Sequence, residues 1–306
     1  MALAASVVIC SRNRPRLLAE TVESVLAGDE VPAEIVIVDE SDTPAAELIP
    51  DGSSRGCHIR HLTTTARGLS WGRNAGAAAA AHDLLVFTDD DMTADPQWIP
   101  ALVGTLSRAG SRDVVTGRVL PGGRETPGGF VPALAVSEKG AVYSGRLGRD
   151  VLAGGNMAIR RALFETMGGF DVRLGPGSRF PAAEDNDLGF RLLEAGGRIL
   201  YVPEALLYHR AWRPASAYLP LRFAYGRGKG GFYAKNVSFA DRYMLGRAVV
   251  DVVRRPFRAA RLALHPRLAA GEIAYGAGVI RGAAEWVLAR GRVDEPDAEL
   301  ASVRPS

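Results

Sequence analysis

Residues 5–39 read ASVVICSRNRPRLLAETVESVLAGDEVPAEIVIVD, and two kinds of apolar pattern alternate along this stretch. Short, β-branched apolar runs at residues 5–10 and 35–38 predict buried strands. Between them, at residues 15–27, the apolar residues recur at the spacing of an amphipathic helix. The stretch therefore predicts a β-α-β unit, which favours a parallel sheet.

The same alternation continues toward the middle of the chain. A third strand is predicted at residues 58–62, a helix at 70–81 and a fourth strand at 84–88, which runs directly into three aspartates at 89–91. Strands that alternate with helices predict an α/β fold with a mostly parallel central sheet flanked by helices. Ligands of such sheets bind at the carboxyl ends of the strands, which is where the aspartates stand.

The second half of the chain carries weaker signals. Residues 110–149 are rich in glycine and proline around a short predicted strand at 114–119. Regular patterns return with a helix after Glu184 and with strands at 198–202 and 206–209. We therefore expect a loop-rich region followed by a second set of regular elements.

Composition bounds the class of protein. Hydrophobic residues make up 47% and charged residues 23% of the 306 residues, which is typical of a globular domain and argues against a disordered chain or a polytopic membrane protein. The formal net charge of +3 gives no reason to expect a nucleic-acid partner. Cys10 and Cys57 are the only cysteines, and neither a signal-peptide pattern nor a run of about 18 apolar residues is present, so a cytoplasmic protein is expected.

The aspartate triplet carries the strongest chemical signal. Carboxylates at the end of a buried strand lose hydration and repel one another, so they persist where a cation joins them. Magnesium or manganese takes one or two carboxylates and fills its remaining positions with water and phosphate oxygens. Asp89, Asp90 and Asp91 therefore predict a divalent-metal and diphosphate site, the alternative being a solvated turn that caps the next helix.

Two further stretches place charged groups at predicted helix starts. In Glu184-Asp185-Asn186-Asp187 the acids either cap a helix or, held ionised by its dipole, accept a proton from a hydroxyl. Residues 67–76 hold Arg73 among glycines that permit close backbone approach, and arginine suits phosphate or a base edge. An ordinary helix start explains this loop almost as well.

Taken in order, these segments resemble the family 2 glycosyltransferases, which have the Rossmann-like GT-A fold. The resemblance runs from about Ser6 to Arg210. The matching motifs are VVICSRNRP at residues 7–15, IVIVD at 35–39, RN at 73–74, DDD at 89–91, GGNMAIR at 154–160, GGFD at 168–171, ED at 184–185 and HR at 209–210.

The resemblance implies a role for each matched position. Asp185 would be the catalytic base, and Glu184 would orient that base or bind an acceptor hydroxyl. The metal ligands would be Asp91 and Asp89, with His209 either a further ligand or a structural histidine. Contacts to the nucleotide sugar would come from Ser11, Arg12, Asn13, Arg14, Asp39, Arg73, Asp89, Asp90, Gly155 and Asn156.

The implied function is metal-dependent transfer of a sugar, with inversion, from a UDP, GDP or dTDP sugar to an acceptor hydroxyl. Such a hexosyltransferase-like enzyme would use Mg²⁺ or Mn²⁺ and serve glycan, glycolipid or glycosylated-metabolite synthesis. One alternative is a non-catalytic nucleotide-sugar-binding protein of the same fold. Another is a sugar-phosphate nucleotidylyltransferase, which would want a glycine-rich loop after the first strand, whereas residues 11–15 contain no glycine.

The same resemblance, with the helical patterns near the C-terminus, suggests how the chain is organised. We expect a catalytic domain at residues 1–212, which binds the nucleotide sugar through about residues 1–110 and faces the acceptor through 111–212. A C-terminal helical extension would occupy residues 213–291, and a disordered tail residues 292–306.

Basic residues accompany the first of two long helical patterns, at residues 241–264 and 268–289. A basic helix with an apolar face can lie flat on an anionic membrane, and the aromatic and basic stretch at 222–235 would extend that surface. Membrane contact would suit a lipid-linked acceptor and place the protein peripherally at the inner face of the membrane. The alternative is that the apolar face packs onto the catalytic domain.

Overall fold

The N-terminal strands pair in the parallel arrangement that their spacing predicts. The computed structural model describes residues 3–42, 49, 52–123, 126–238, 240–289 and 304–305. Its first elements are β1 (Leu3–Ser11), α1 (Pro15–Leu26), β2 (Pro32–Asp39), β3 (Gly52–Ser54), β4 (Cys57–Thr63), α2 (Leu69–Ala79) and β5 (Leu84–Asp89). Strands β4, β2, β1 and β5 lie side by side and run parallel. The register sets Ser11 opposite Asp39 and Cys10 opposite Asp89, so both aspartates stand at the same edge of the sheet.

The second half of the sheet is mixed. Its elements are β6 (Met92–Ala94), α3 (Trp98–Arg108), β7 (Asp113–Pro121), β8 (Ala141–Ser144), β9 (Asn156–Arg160), α4 (Arg161–Thr166), α5 (Glu184–Glu194) and β10 (Arg198–His209). Strand β9 runs antiparallel between β5 and β7, and β7 pairs in parallel with β10. Strand β6 pairs antiparallel with β10 at the far edge. The parallel pairing that the sequence predicts is therefore found among β4, β2, β1 and β5 and again between β7 and β10, and the antiparallel strand β9 joins the two groups.

Two predicted boundaries change in the structure. The strands predicted at residues 198–202 and 206–209 form the single strand β10, with a shift of register between Val202 and Leu206. Pro203 lies in this interval and has no N–H to donate to a neighbouring strand. The predicted disordered tail lies outside the described residues except for Arg304–Pro305, which form the short strand β11 and pair with β4.

Helices cover both faces of the sheet, because alternate residues of each strand point to opposite sides. One buried cluster joins Val7 and Ile9 of β1 to Leu18 of α1 and Leu102 of α3. The other joins residues such as Val8 of β1 to α2, α4 and α5. The result is the predicted α/β architecture, with the central sheet buried between two helical layers.

Three helices follow the sheet: α6 (Tyr218–Asn236), α7 (Tyr243–Arg261) and α8 (Pro266–Ala289). They confirm the predicted C-terminal helices and add α6, which carries four glycines and has a poor intrinsic helix propensity. Helix α6 lies so close to α8 that a Cβ atom at Gly230 would overlap the carbonyl oxygen of Val279, and one at Gly282 that of Arg227. Within the described ranges, no helix is long and apolar enough to cross a bilayer.

The structure overturns the prediction that the aromatic and basic stretch at residues 222–235 extends a membrane surface. Lys229, Phe232 and Tyr233 are buried. Arg222 and Arg227 form ion pairs with two glutamates of α8. These side chains therefore serve the packing of α6 against the rest of the protein.

The close approach of α6 and α8 predicts that a larger side chain at their contact destabilises the fold. Gly282→Ala should lower the free energy of unfolding by about 1–3 kcal/mol, because the added methyl group forces the two backbones apart. The matched control is Gly246→Ala in α7, where a Cβ atom meets no heavy atom within 4 Å and helix propensity favours alanine by up to about 1 kcal/mol. Urea unfolding measures both; equal midpoints for the two variants would contradict the packing described for α6 and α8.

Candidate active site

A cavity of about 560 Å³ opens at the carboxyl ends of the central strands. One side is formed by the residues after β1 and by the aspartates that follow β5, and the other by the start of α5 and by helices α6 and α8. The residues predicted from the sequence that line it are Ser11, Arg12, Arg14, Arg73, Asp89, Asp90, Asp91, Gly155, Asn156, Glu184, Asp185 and His209. The fold thus brings residues almost two hundred positions apart into one site.

Arg73 joins the two acidic groups of the cavity. Its Nη2 donates to Oδ1 of Asp89 at 2.6 Å, and its Nη1 donates to Oε1 of Glu184 at 3.3 Å. The guanidinium is only 2% exposed and lies 5.2 Å from the centre of the Phe170 ring. Both terminal nitrogens are engaged by carboxylates, and the contact of Arg73 with the nucleotide or phosphate stays a prediction.

Asp90 faces the first strand. Its Oδ2 accepts a hydrogen bond from Ser11 Oγ at 2.8 Å, and its Oδ1 accepts one from Arg14 Nη1 at 3.1 Å. Burial raises the pKa of Asp90 to about 6, although the positive charge of Arg14 opposes this shift. Asp90 therefore connects the end of β5 to Ser11 at the end of β1 and to Arg14 in the loop that follows.

Asp91 faces the end of β10. The antiparallel pairing of β6 with β10 sets Met92 opposite His209, and His209 Nε2 lies 3.3 Å from Asp91 Oδ1. Arg14 Nη1 donates to Asp91 Oδ2 at 2.9 Å. Burial alone would raise the pKa of Asp91, but the hydrogen bond and charge of His209 outweigh it, so the pKa lies below its usual value.

The other ring nitrogen of His209 is also engaged. Nδ1 lies 2.9 Å from the carbonyl oxygen of Pro132, an acceptor, so Nδ1 carries a proton, while Nε2 faces the carboxylate of Asp91. Burial alone would lower the pKa of His209, but the hydrogen bond and charge of Asp91 outweigh it, so the pKa lies above its usual value. Nε2 would become a ligand on losing its proton to a bound metal ion. Among the described residues, no group of three histidine, cysteine or acidic side chains is placed to hold a metal. Asp91 and His209 lie together as two potential metal ligands, whereas the carboxylate of Asp89 is paired with Arg73.

The acids Glu184 and Asp185 open helix α5, after Ala183 in a left-handed conformation with φ of 76°. Asp185 accepts hydrogen bonds from Gly154 N at 3.3 Å and from Asn186 N at 2.7 Å. Burial, reinforced by the charge of Asp185, raises the pKa of Glu184 to about 7, and burial also raises the pKa of Asp185. Both carboxyl groups are therefore more basic than in water.

The glycines before β9 allow the two acidic groups to approach. A Cβ atom at Gly154 would lie 2.9 Å from Arg73 Nη1 and 3.0 Å from Asp185 Cβ, and one at Gly155 would overlap the carboxylate of Asp89. Asn156, by contrast, is turned into the protein, where its Nδ2 donates to the carbonyl oxygens of Arg118 and Ala205. Its side chain is fully buried, which argues against the predicted side-chain contact with the sugar.

Two residues predicted to contact the nucleotide do not line the cavity. Asp39 is buried at the end of β2 and accepts a hydrogen bond from Ser41 N at 2.9 Å. Asn13 has a φ of 56° and donates from its backbone N to Ser41 Oγ at 2.6 Å. Both therefore fix the loop that follows β2, at the side of the cavity where β1 and β2 end.

A lysine that the sequence analysis did not single out reaches the cavity from α6. Lys229 Nζ donates to Asp150 and, at 3.0 Å, to Asn186 Oδ1. Arg247 of α7 donates to the other oxygen of Asp150 at 2.6 Å. Burial lowers the pKa of Lys229, and Asp150 opposes that shift. The sequence around Lys229 gives only one hint of a role, a lysine among the glycines of residues 228–231. Its partners could not be predicted because they lie far away along the chain.

Comparison with known proteins supports the resemblance read from the sequence. The family model described as Glycosyl transferase family 2 matches residues 6–168. The chain is 30% identical over 215 residues to the glucosyl-dolichyl phosphate glucuronosyltransferase of Haloferax volcanii, covering 67% of this chain and 68% of the relative. The match leaves no support for a sugar-phosphate nucleotidylyltransferase.

Solved structures share the fold. The mannosyltransferase PcManGT of Pyrobaculum calidifontis, in complex with GDP-Man and Mn²⁺, superposes with a TM-score of 0.60 at 15% identity over 92% of this chain and 87% of its own. TarS 1-349 of S. aureus, in complex with UDP-GlcNAc, gives 0.54 at 14% identity over 91% of each chain. Because the family model spans more than half of the chain and the Haloferax relative covers two thirds of both sequences, this chain belongs to glycosyl transferase family 2 and is a glycosyltransferase of the GT-A fold.

Proposed function

We propose that this glycosyltransferase moves a sugar from a nucleotide-diphosphate sugar to an acceptor hydroxyl with inversion, and that it uses a divalent metal ion. The observation that carries the proposal is the shared cavity: the aspartates after β5 and the acids that open α5 line the same space and are joined by Arg73. The aspartates can bind the diphosphate of a donor through a metal ion, and the acids of α5 can accept the proton of an attacking hydroxyl.

The donor would lie against the ends of β1, β2 and β5. Arg12 and Arg14 line this side and supply positive charge near the diphosphate, while Ser11 and Asp39 hold the strand ends. The fold neighbours named above were solved with GDP-Man and with UDP-GlcNAc, which supports a nucleotide sugar as the donor class. The choice among UDP, GDP and dTDP is left to experiment.

Asp91 and His209 fit a metal ion that is completed by the substrate. Mg²⁺ and Mn²⁺ sites commonly use one or two protein groups and take the remaining oxygens from phosphate and water. A histidine whose Nδ1–H is held by a carbonyl presents Nε2 as a ligand, and His209 has this arrangement. Asp89, at the end of β5, would be the further acidic ligand. When bound, the ion would bind the diphosphate and neutralise charge on the leaving nucleotide.

Asp185 is the proposed base. The acceptor oxygen forms the new bond at the anomeric carbon as the bond from that carbon to the diphosphate oxygen breaks, and the hydroxyl proton passes to Asp185. The N–H groups of Gly154 and Asn186 fix the orientation of its carboxylate. Burial makes Asp185 a better proton acceptor, while Glu184 holds Arg73 beside it.

The acceptor would enter beside the C-terminal helices. Tyr225, Lys229 and Tyr275 line the cavity next to Asn186 and Asp185. The name of the Haloferax relative describes action on a sugar carried by dolichyl phosphate. We extend that class to this chain and propose a lipid-linked acceptor.

Asp91→Asn should abolish metal-dependent turnover and weaken donor binding, because it removes a charged ligand from a site with few ligands. The measurement is transfer or hydrolysis of the donor over a Mn²⁺ titration, with the Tm to confirm folding. Glu165→Gln is the matched control, since Glu165 is exposed on α4 and does not line the cavity. Near-normal metal-dependent activity of Asp91→Asn would show that the metal assignment is wrong.

Asp185→Asn should leave the Kd of the donor nearly unchanged and slow transfer by about 10²–10⁴-fold, as expected for loss of a positioned general base. Equilibrium titration of the donor and single-turnover kinetics separate the two effects. If the variant instead lost donor affinity and kept its kcat, the base would lie elsewhere and Glu184 would be the next residue to test.

The raised pKa of Glu184 predicts how the stability of the variant Glu184→Gln should depend on pH. The carboxyl group has a pKa near 4.5 when unfolded and about 7 in the fold, so between these values the folded protein retains a proton that the unfolded chain loses. This contribution to stability is full below about pH 4.5 and is lost as the pH rises toward 7. Without metal, the Tm of Glu184→Gln relative to the unmodified protein should therefore increase from pH 5 to pH 8. A relative decrease would mean that the pKa of Glu184 is lowered in the fold.

A further inference from the structure

Helix α7 presents most of its apolar side chains to solvent. Only Met244 and Arg255 of this helix are buried. The alternative that its apolar face packs onto the catalytic domain holds for Met244, Ala248 and Val252, but not for the larger set of side chains on the outer side. The exposed apolar side chains are Leu245 at 47%, Val249 at 52%, Val250 at 44%, Val253 at 55% and Phe257 at 67%.

These side chains form one stripe. Leu245, Val249, Val253 and Phe257 are each four residues apart, which places them along one face of a helix, and Val250 widens that face. Leu264, just beyond the end of the helix, is 93% exposed. An apolar stripe of this length would be costly to leave in water, so the geometry indicates a binding surface.

Exposed arginines flank the stripe. Arg242, Arg254, Arg258 and Arg261 are exposed, and within the part of the chain that the structure describes none of them forms an ion pair. The one acid of α7, Asp251, pairs with the buried Arg255. The exposed face of α7 is therefore both apolar and positively charged.

We propose that α7 is a membrane-docking helix that lies flat on an anionic lipid surface. The apolar stripe would enter the boundary between headgroups and acyl chains, and the arginines would meet lipid phosphates, where each basic residue near the surface contributes about 1 kcal/mol to binding. A second copy of the chain fits less well, because a symmetric contact over the stripe would bring the same unpaired arginines of both copies together.

A continuous set of contacts connects α7 to the candidate base. Arg247 of α7 binds Asp150, Asp150 binds Lys229, and Lys229 binds Asn186 beside Asp185. The docking helix is thus fixed to the wall of the cavity, and docking would hold that wall at the lipid surface. The proposal rests on the exposed face of α7 and stands whether or not the sugar-transfer mechanism is correct.

The test is co-sedimentation of the full chain with vesicles of phosphatidylcholine, with and without phosphatidylglycerol, at low and high salt. We expect binding to the anionic vesicles that weakens with salt, and little binding to the neutral ones. The variant Val253→Asp/Phe257→Asp should lower the fraction bound by about tenfold or more. Both side chains are more than half exposed, so the fold should be retained, as circular dichroism would check.

Val142→Asp is the matched control, because Val142 is 59% exposed on β8, outside α7, and its replacement should leave binding unchanged. Three results would overturn the proposal. These are equal, negligible binding of the unmodified chain to both vesicle types, unchanged binding of Val253→Asp/Phe257→Asp, and a dimer in analytical ultracentrifugation that this variant dissociates while lipid binding is absent. Failure of sugar transfer with intact vesicle binding would count against the proposed function alone.

Discussion

The buried guanidinium of Arg73 is the contact on which the arrangement of the site depends. Its positive charge lies between Asp89 at the end of β5 and Glu184 at the start of α5, and it offsets the repulsion between these two acids. Removing one partner of such a pair costs about 3–5 kcal/mol, because the remaining charge stays buried. Helix α2 supplies Arg73, and Gly76 of that helix lets it lie directly against β1 and β2. The geometry of the candidate site is thus an outcome of how α2 packs on the sheet.

The remaining features of the site follow from strand order. Strand β10 pairs with β6, and that pairing carries His209 to Asp91 from the far part of the chain. The left-handed conformation of Ala183 turns the chain into α5 so that Asp185 faces Gly154. Non-glycine residues adopt this conformation at some cost, and such strain is concentrated at functional sites. The side chains proposed to hold the metal and diphosphate are therefore positioned by the sheet. The side chain proposed as the base is positioned by the start of α5.

Local sequence patterns predicted the elements whose signals lie within a few neighbouring residues. The β-α-β unit, the strand that ends in Asp89 and the helix after Glu184 follow from apolar periodicity, and the acids stood out because charges at the ends of buried elements need partners. Contacts between distant segments could not be predicted in this way. The periodicity of α6 is masked by four glycines, of which Gly226 and Gly230 suit its contact with α8, and the partners of Lys229 are set by tertiary packing. The motif that contains Asn156 does not show that its side chain turns into the protein.

The central claim is that this cavity binds a nucleotide-diphosphate sugar together with a divalent ion. The most direct measurement is the Tm of the unmodified chain with UDP, GDP and dTDP sugars, each with Mn²⁺ and again with EDTA, since a ligand that binds only the folded state raises the Tm by mass action. At least one of these nucleotide sugars should raise the Tm in Mn²⁺, and EDTA should abolish the rise. No rise with any of them, or the same rise in EDTA, would contradict this claim.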